Sequence, residues 1–322
     1  MGVKIGRILL SAAMLCGFIS GAQALDFPTR VVRIIVPYAP GGSAEAQART
    51  LAEALSKIWK QQVIVEGKPG AGTTIGAAYV ASSAPDGYTL YLAGTSHTIS
   101  PSLYSSVRYD AVKSFAPISR VATSPFILMV NPSLGINSVA DFLALARSKP
   151  GKLNYSTSGV GAGPHLAAEM MIAATKINVR HVPFKGSAPA MTALLGNFVE
   201  FSLGDVSALS TIKAGSLKAL AVTTAKRFSQ LPEVPTFDET IQKGLEVTNW
   251  SAILAPANTA PELVNFINRS IATALRSPDV KESYEAQGFE PVSSSPDELR
   301  DFMTAEVKKY HDAIEQAGIK PE

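Results

Sequence analysis

Residues 31–49, VVRIIVPYAPGGSAEAQAR, constrain the fold more than any other stretch of this chain. Val31-Val32-Arg33-Ile34-Ile35-Val36 is β-branched at five of six positions, the pattern of a strand buried on both faces in a parallel sheet. Pro37 and Pro40 end that strand, and Gly41-Gly42 removes side chains where the backbone must turn. Ser43 reads as a helix N-cap, and Ala44, Ala48, Leu51, Leu55 and Ile58 fall on one face of the helix that follows. A strand, a glycine turn and a helix start leave unpaired N–H groups and the positive end of a helix dipole at the turn. Such a turn receives an anion without a basic side chain. The same pattern also serves an ordinary βα junction, so its meaning depends on the rest of the chain.

The remainder is α/β throughout. Strands are expected at 62–66, 89–93, 118–122, 126–130, 153–156, 179–182, 198–203 and 217–222, with helices at 74–83, 138–148, 164–174, 188–195 and 207–214 between them. Alternation of this kind predicts parallel sheets covered by helices, joined by right-handed crossovers. Residues 231–236, LPEVPT, read as rigid surface wrapping or a boundary. Three helices are expected in the tail, at 261–276, 278–287 and 296–317. In open parallel sheets ligands bind beyond the carboxyl ends of the strands. That rule gathers the loops at Gly41, Gly72, Gly94, Ser158 and Gly186 on the ligand side of their sheets.

The first 24 residues read as an export signal: Lys4 and Arg7, an apolar run from Ile8 to Ser20, then Ala22-Gln23-Ala24 as a cleavage site. Cys16 is preceded by Leu15, which is too large for a lipoprotein signal. Cleavage after Ala24 removes the single cysteine, so an ordinary core and not a disulfide must hold the protein. It also removes Lys4 and Arg7 and takes the formal charge from +3 to +1. A near-neutral chain with no long basic run argues against nucleic acid. The expectation is an exported, soluble, periplasmic protein.

A second loop, Tyr155-Ser156-Thr157-Ser158-Gly159-Val160-Gly161-Ala162-Gly163-Pro164-His165, leaves a strand with hydroxyls and glycines and opens a helix at Pro164. It suits a carboxylate, carbonyl or phosphate. It is not the dinucleotide fingerprint, because Pro164 occupies the final glycine position, and no cofactor is expected. The four histidines show no ligand spacing, so no metal is expected. Ser96, His165 and Asp205 can be assembled into a triad on paper, but there is no G-x-S-x-G elbow. His165, near a helix start, reads as a hydrogen-bonding anchor. Glu45 and Arg49, four apart on the first helix, read as a local ion pair. Lys185 follows a strand and either approaches an anion or is solvated. Trp59 and Trp250 are expected in cores or at their edges, with Trp250 also able to meet a ligand.

These loops resemble the Bug, or TctC-like, substrate-binding proteins of tripartite tricarboxylate transport systems. The residues that carry the resemblance are Pro40-Gly41-Gly42 with Ala48-Arg49, Pro69-Gly70-Ala71-Gly72 and Pro85-Asp86-Gly87-Tyr88-Thr89-Leu90. Further on they are Asn154-Tyr155-Ser156 with Ser158-Gly159, Gly161, His165-Leu166-Ala167 and Val182-Pro183-Phe184-Lys185-Gly186, then Ala219-Leu220-Ala221-Val222 and 231–236. One departure is Glu45, where the family usually has aspartate.

The resemblance implies an α/β, type II-like periplasmic binding protein of two lobes with a ligand cleft between them. Its lobes would be 25–123 with 225–322, and 124–224. It implies first-lobe ligand contacts at Tyr38, Gly42, Ser43, Ala44, Thr73 and Ser96, and second-lobe contacts at Thr157, Ser158, Gly161, His165, Lys185 and Asp205. The ligand would be a small organic anion, held largely through backbone N–H groups and delivered by a monomer to membrane permease subunits. An orphan sensor of the same fold and a secreted α/β hydrolase are the alternatives. Because the two loops are poor in basic residues, added side chains at Gly42 or Gly161 are expected to hurt binding more than loss of the Lys185 charge.

Overall fold

A computed structural model describes residues 26–38 and 40–321. The expected export signal and its cleavage site lie outside the described residues. The strands are β1 (Val32–Val36), β2 (Val63–Gly67), β3 (Thr89–Gly94), β4 (Phe115–Pro125), β5 (Ile127–Val130), β6 (Asn154–Thr157), β7 (Arg180–Pro183), β8 (Phe201–Gly204), β9 (Lys218–Val222), β10 (Thr248–Pro256) and β11 (Glu290–Pro291). They form a six-stranded sheet, β11-β4-β10-β3-β1-β2, and a five-stranded sheet, β7-β6-β8-β5-β9.

Both sheets are mixed, which corrects the all-parallel expectation. β1 runs parallel to β2 and β3, with Ile34 opposite Val65 and Leu90. β10, for which the sequence pattern offered no strand, is inserted antiparallel between β3 and β4. β6 is parallel to β7 and β8, whereas β5 is antiparallel to β8 and β9. Strand direction was hidden because an apolar run records burial on both faces and nothing about which way a neighbour runs.

The first helix, α1 (Ser43–Trp59), buries Gln47, Ala48, Leu51, Ala52, Leu55 and Trp59. Ile58, expected on that face, is exposed, and Trp59 takes the inner position. Its indole packs beside Phe27 and Phe266 and donates to Ser270 Oγ at 2.8 Å. The N-cap is Gly42, in extended backbone with no side-chain cap bond, and Ser43 is the first helical residue. Glu45 instead accepts from the Gly41 N–H at 2.7 Å and pairs with Arg49. The next helices are α2 (Thr74–Ala81) and α3 (Thr95–Leu103). α3 is absent from the expected elements because Thr, Ser and His favour it little and Pro101 sits inside it. It is held from outside: the Ser100 hydroxyl donates to the Gly72 carbonyl, and His97 Nε2 donates to the Ala111 carbonyl at 2.8 Å.

The chain passes from the first sheet to the second through Phe126 alone, between β4 and β5. It returns between β9 and β10, and the two passages are stitched together. The Phe126 N–H donates to Thr223 Oγ1 at 2.9 Å, and the Thr223 N–H donates to the Phe126 carbonyl at 3.0 Å. The final long helix, Pro296–Gln316, follows both halves. Leu299 and Met303 pack with Tyr91 and Trp250 of the first sheet, while Tyr310 and Ile314 join the core around Phe142 and Phe201 of the second.

Burial lowers the His97 pKa to about 4, because its ring is wholly enclosed and its Nδ1 has no hydrogen-bond partner. The unfolded chain takes up a proton at this residue near pH 6.5, whereas the folded chain resists it to about 4. Folding stability should therefore fall as the pH drops through that window, His97 contributing up to about 1.4 kcal/mol per pH unit. Urea unfolding across the window checks this. His97→Gln, which can keep the bond to Ala111, should show a shallower pH dependence than the parent protein.

Candidate functional site

β1 ends at Val36, and the turn after it delivers the N-terminus of α1 to the space between the two sheets. A cavity of about 370 Å³ lies there, lined from both halves of the molecule. The first half contributes Tyr38, Gly42, Ser43, Ala44, Gln47, Thr95 and Ser96, with Asn249, Trp250 and Ser251 from β10. The second half contributes Ser158, Ala162, Gly163, Pro164, Ser187 and Asp205. Phe126, the passage residue, and Phe289 complete the wall.

Four helices begin at this cavity: α1, α3, the helix Gly163–Thr175 and the helix Ser187–Leu195. Their N-caps are Gly42, Gly94, Ala162 and Gly186, and none makes a side-chain cap bond. Each start carries backbone donors with no intrahelical partner and the positive end of a dipole. No lysine or arginine lines the cavity among the described residues. Its positive potential is therefore a property of the backbone, which suits an anion.

A larger hollow of about 690 Å³ lies on the flank of the second sheet, near Asn137, Lys218 and Val234. The helix start there is already satisfied: Ser138 Oγ accepts from the Asp141 N–H, and Asp141 accepts from the Asn137 N–H. The hollow between the sheets is therefore the better candidate site.

Side chains in the cavity are tied down. Burial raises the Tyr38 pKa, partly offset by a hydrogen bond from Ser96. The Thr95 hydroxyl donates to Asn249 Oδ1 at 3.2 Å and accepts from the Trp250 N–H, while Asn249 Nδ2 donates to Ser124 Oγ at 3.1 Å. The Ser251 hydroxyl donates to Gln47 Oε1 at 2.8 Å, leaving the Gln47 NH₂ as the group it can offer elsewhere. The Trp250 indole, buried as expected, donates to Glu306 Oε2 at 3.0 Å.

Of the residues expected at a site, Tyr38, Gly42, Ser43, Ala44, Ser96, Ser158 and Asp205 are brought together around the cavity. Thr73, Thr157, Gly161, His165 and Lys185 are not in its lining. Thr73 is buried at the start of α2, in left-handed backbone, with its hydroxyl unpartnered. Lys185 is exposed beyond β7. Thr157 Oγ1 and Gly161 belong to a brace beneath the second loop. The Gly161 N–H donates to His165 Nδ1 at 3.0 Å, so the neutral ring carries its proton on Nε2, which lies 3.5 Å from Glu169 Oε1. The His165 ring stacks on His181 at 4.0 Å, and Thr157 Oγ1 meets His181 Nε2 at 2.7 Å. Burial and then the neighbouring His165 lower the His181 pKa to about 4. Burial opposes ionisation of Glu169, yet hydrogen bonds from His165 and Tyr155 hold its pKa below the usual value. With both His165 nitrogens facing Gly161 and Glu169, the ring makes no bond to Ser96 or Asp205, and the paper triad is not assembled.

Two glycines separate here. Gly42 has φ −86° and ψ 169°, backbone that any residue adopts, so the expected conformational need for glycine does not hold there. Gly161 has φ +69°, and a Cβ on it would lie 2.2 Å from Leu103 Cδ1 across the cleft. Sequence reasoning missed Gln47, Thr95, Ser187, Asn249 and Ser251 among the lining residues. Gln47 stands one helical turn after Ser43, and Ser187 opens a helix after Gly186, so both had a local signal. Asn249 and Ser251 had none, since β10 itself was not legible.

Gly94 is a tight point of the wall, because a Cβ there would sit 2.7 Å from Tyr38 Oη and 3.3 Å from the Trp250 carbonyl. Gly94→Ala should cost about 1–3 kcal/mol by overpacking. Tyr38→Phe in the same chain removes the closest atom and should recover much of that loss. Urea unfolding of the two single variants and the double variant measures the coupling.

Comparison with known proteins places this geometry. The profile described as "Tripartite tricarboxylate transporter family receptor" matches residues 47–319. The chain is 34% identical over 307 residues to Protein BugT of Bordetella pertussis, covering 94% of each. Among solved structures it resembles the periplasmic binding protein BugD, with 32% identity and TM-score 0.76, over 92% of this chain and 100% of that one. An R. palustris protein solved with adipate is 33% identical with TM-score 0.79, over 92% of this chain and 100% of the other. MatC from Rhodopseudomonas palustris, with bound malate, is 27% identical with TM-score 0.75, over 89% and 100%.

Proposed function

We propose that this chain, which belongs to the tripartite tricarboxylate transporter receptor family, is a periplasmic solute receptor. It captures a small organic carboxylate between two lobes and presents it to the membrane permease subunits of such a transporter. The observation that carries this reading is the convergence of four helix starts on a cavity whose lining, among the described residues, has no lysine or arginine. Relatives solved with adipate and malate favour a carboxylate as the anion. We take the lobes as 25–123 with 225–322, and 124–224, hinged where Phe126 and Thr223 exchange hydrogen bonds. The chain works as an exported monomer, cleaved after Ala24 and without catalytic turnover. Among the described residues no helix is long and apolar enough to cross a membrane.

In this reading Gly42, Ser43, Ala44 and Ser96 take the carboxylate from one lobe and Ser158 approaches from the other. Tyr38 forms the wall, and His165, Gly161 and Thr157 hold the second loop in shape. Thr73 and Lys185 lie outside the contact set.

The backbone account can be separated from a side-chain account at Ser43. Gly42 before it is extended, so proline fits at this first helical position and deletes one N–H without breaking the helix. Against a carboxylate found by thermal-shift screening, Ser43→Pro should bind at least about tenfold more weakly than Ser43→Ala, roughly 1.4 kcal/mol. Lys185→Met should change affinity by less than about threefold. Titration calorimetry on folded variants decides it. Unchanged binding by Ser43→Pro together with loss in Lys185→Met would replace the backbone receptor by a salt bridge.

A further inference from the structure

Asp205 is the one formally charged side chain that lines the cleft among the described residues. It follows β8 and caps the short turn Val206–Ala208, with Oδ1 accepting from the Ser207 N–H at 2.9 Å. Its Oδ2 accepts from the Ser187 hydroxyl at 2.6 Å. Both partners are neutral. The other carboxylate nearby, Glu45, is outside the lining and is paired with Arg49.

A carboxylate has about four lone-pair directions, and these two bonds use two of them. Acceptor capacity and an unneutralised negative charge therefore remain at the second-lobe end of the cleft. The cleft is polar in a directional sense. Its first-lobe wall offers the starts of α1 and α3 with no carboxylate in the lining, while on the second-lobe wall, beside the start of the helix Gly163–Thr175, the start of the helix Ser187–Leu195 already has the Asp205 carboxylate next to it. A like charge brought into that end is disfavoured, and a donor brought there gains a charge-assisted hydrogen bond.

We infer that Asp205 sets the ligand class. The ligand gives its carboxylate to the first-lobe helix starts and a hydrogen-bond donor, such as an ammonium, hydroxyl or amide group, to Asp205. A second carboxylate at that end is rejected. The inference rests on the carboxylate reading of the cleft and makes it asymmetric.

Titration calorimetry at neutral pH with matched ligands tests it. Succinate is compared with γ-aminobutyrate, γ-hydroxybutyrate and succinamate, and adipate with ε-aminocaproate and adipamate. The expected result is a donor-bearing member that binds about ten times or more tightly than its dicarboxylate. In Asp205→Asn, which can still accept from the Ser207 N–H, that preference should shrink to within about threefold or reverse. Asp205→Ser, a second residue type able to cap the turn, should behave alike. Ser187→Ala, which leaves the carboxylate in place, should keep the preference. A dicarboxylate bound as tightly as its partners by the parent protein, or a preference unchanged in both Asp205 variants, overturns the inference and leaves the carboxylate cleft standing. Folded protein that binds none of these carboxylates overturns the cleft reading itself.

Discussion

The first backbone donors of a helix have no partner inside the helix, and a fold must either cap them, wet them or use them. Here four helix starts meet at one hollow, and their N-cap residues are two glycines of the first half, an alanine and a further glycine of the second. None offers a side-chain acceptor to its own helix. Four other helices of the same chain are capped: Ser138, Thr236, Ser277 and Ser295 each accept from their helices, and Thr236 and Ser295 form reciprocal capping boxes with Glu239 and Glu298. Two starts away from the hollow, at Thr73 and Ala260, also lack a side-chain cap, so what sets the four apart is that they meet at one cavity.

That arrangement depends on how the halves are joined. One residue, Phe126, carries the chain from the first sheet to the second, and Thr223 on the returning segment bonds it in both directions. The cleft therefore has a short, hydrogen-bonded back wall, with open space in front. The helix Pro296–Gln316 spans the join from outside, burying Leu299 and Met303 with one core and Tyr310 and Ile314 with the other. Beneath the second loop, the buried His165 and Tyr155 and the half-buried His181 and Glu169 form a brace that holds Gly161 next to the helix start at Gly163. Asp205 then makes the cleft unequal, because it adds an anionic acceptor on the side of the second half alone.

Much of this was legible in the residues. The burial of β1, the glycine turn, the core face of α1 and the hydroxyl- and glycine-rich loop before His165 are local patterns, and local patterns survive in a one-dimensional chain. The carboxyl-end rule then drew Gly94 and Ser158 toward a common site. The family resemblance supplied the two-lobed architecture that periodicity could not. Some of the readings failed for identifiable reasons. Ile58 lost its inward place because the helix presents Trp59 to Phe27 and Phe266. Ser43, read as the cap, is the first helical residue, and Gly42 in extended backbone holds the cap position. α3 was hidden by a proline and poor helix formers, and it is tertiary bonds from Ser100 and His97 that hold it.

The sequence by itself determined the alternation of strands and helices, the lack of cysteine in the residues after 24, and turns poor in basic residues. These follow from side-chain size, backbone freedom and charge, each of which is a property of a residue and its immediate neighbours. Only the tertiary structure decided that β10 runs antiparallel through the middle of the first sheet and brings Asn249, Trp250 and Ser251 to the cleft. It alone placed Thr157, Gly161 and His165 in a bonded and stacked cluster outside the cavity lining, and left Lys185 exposed. Strand direction and side-chain reach are settled by partners far along the chain, and nothing in a local window encodes which partner will be there.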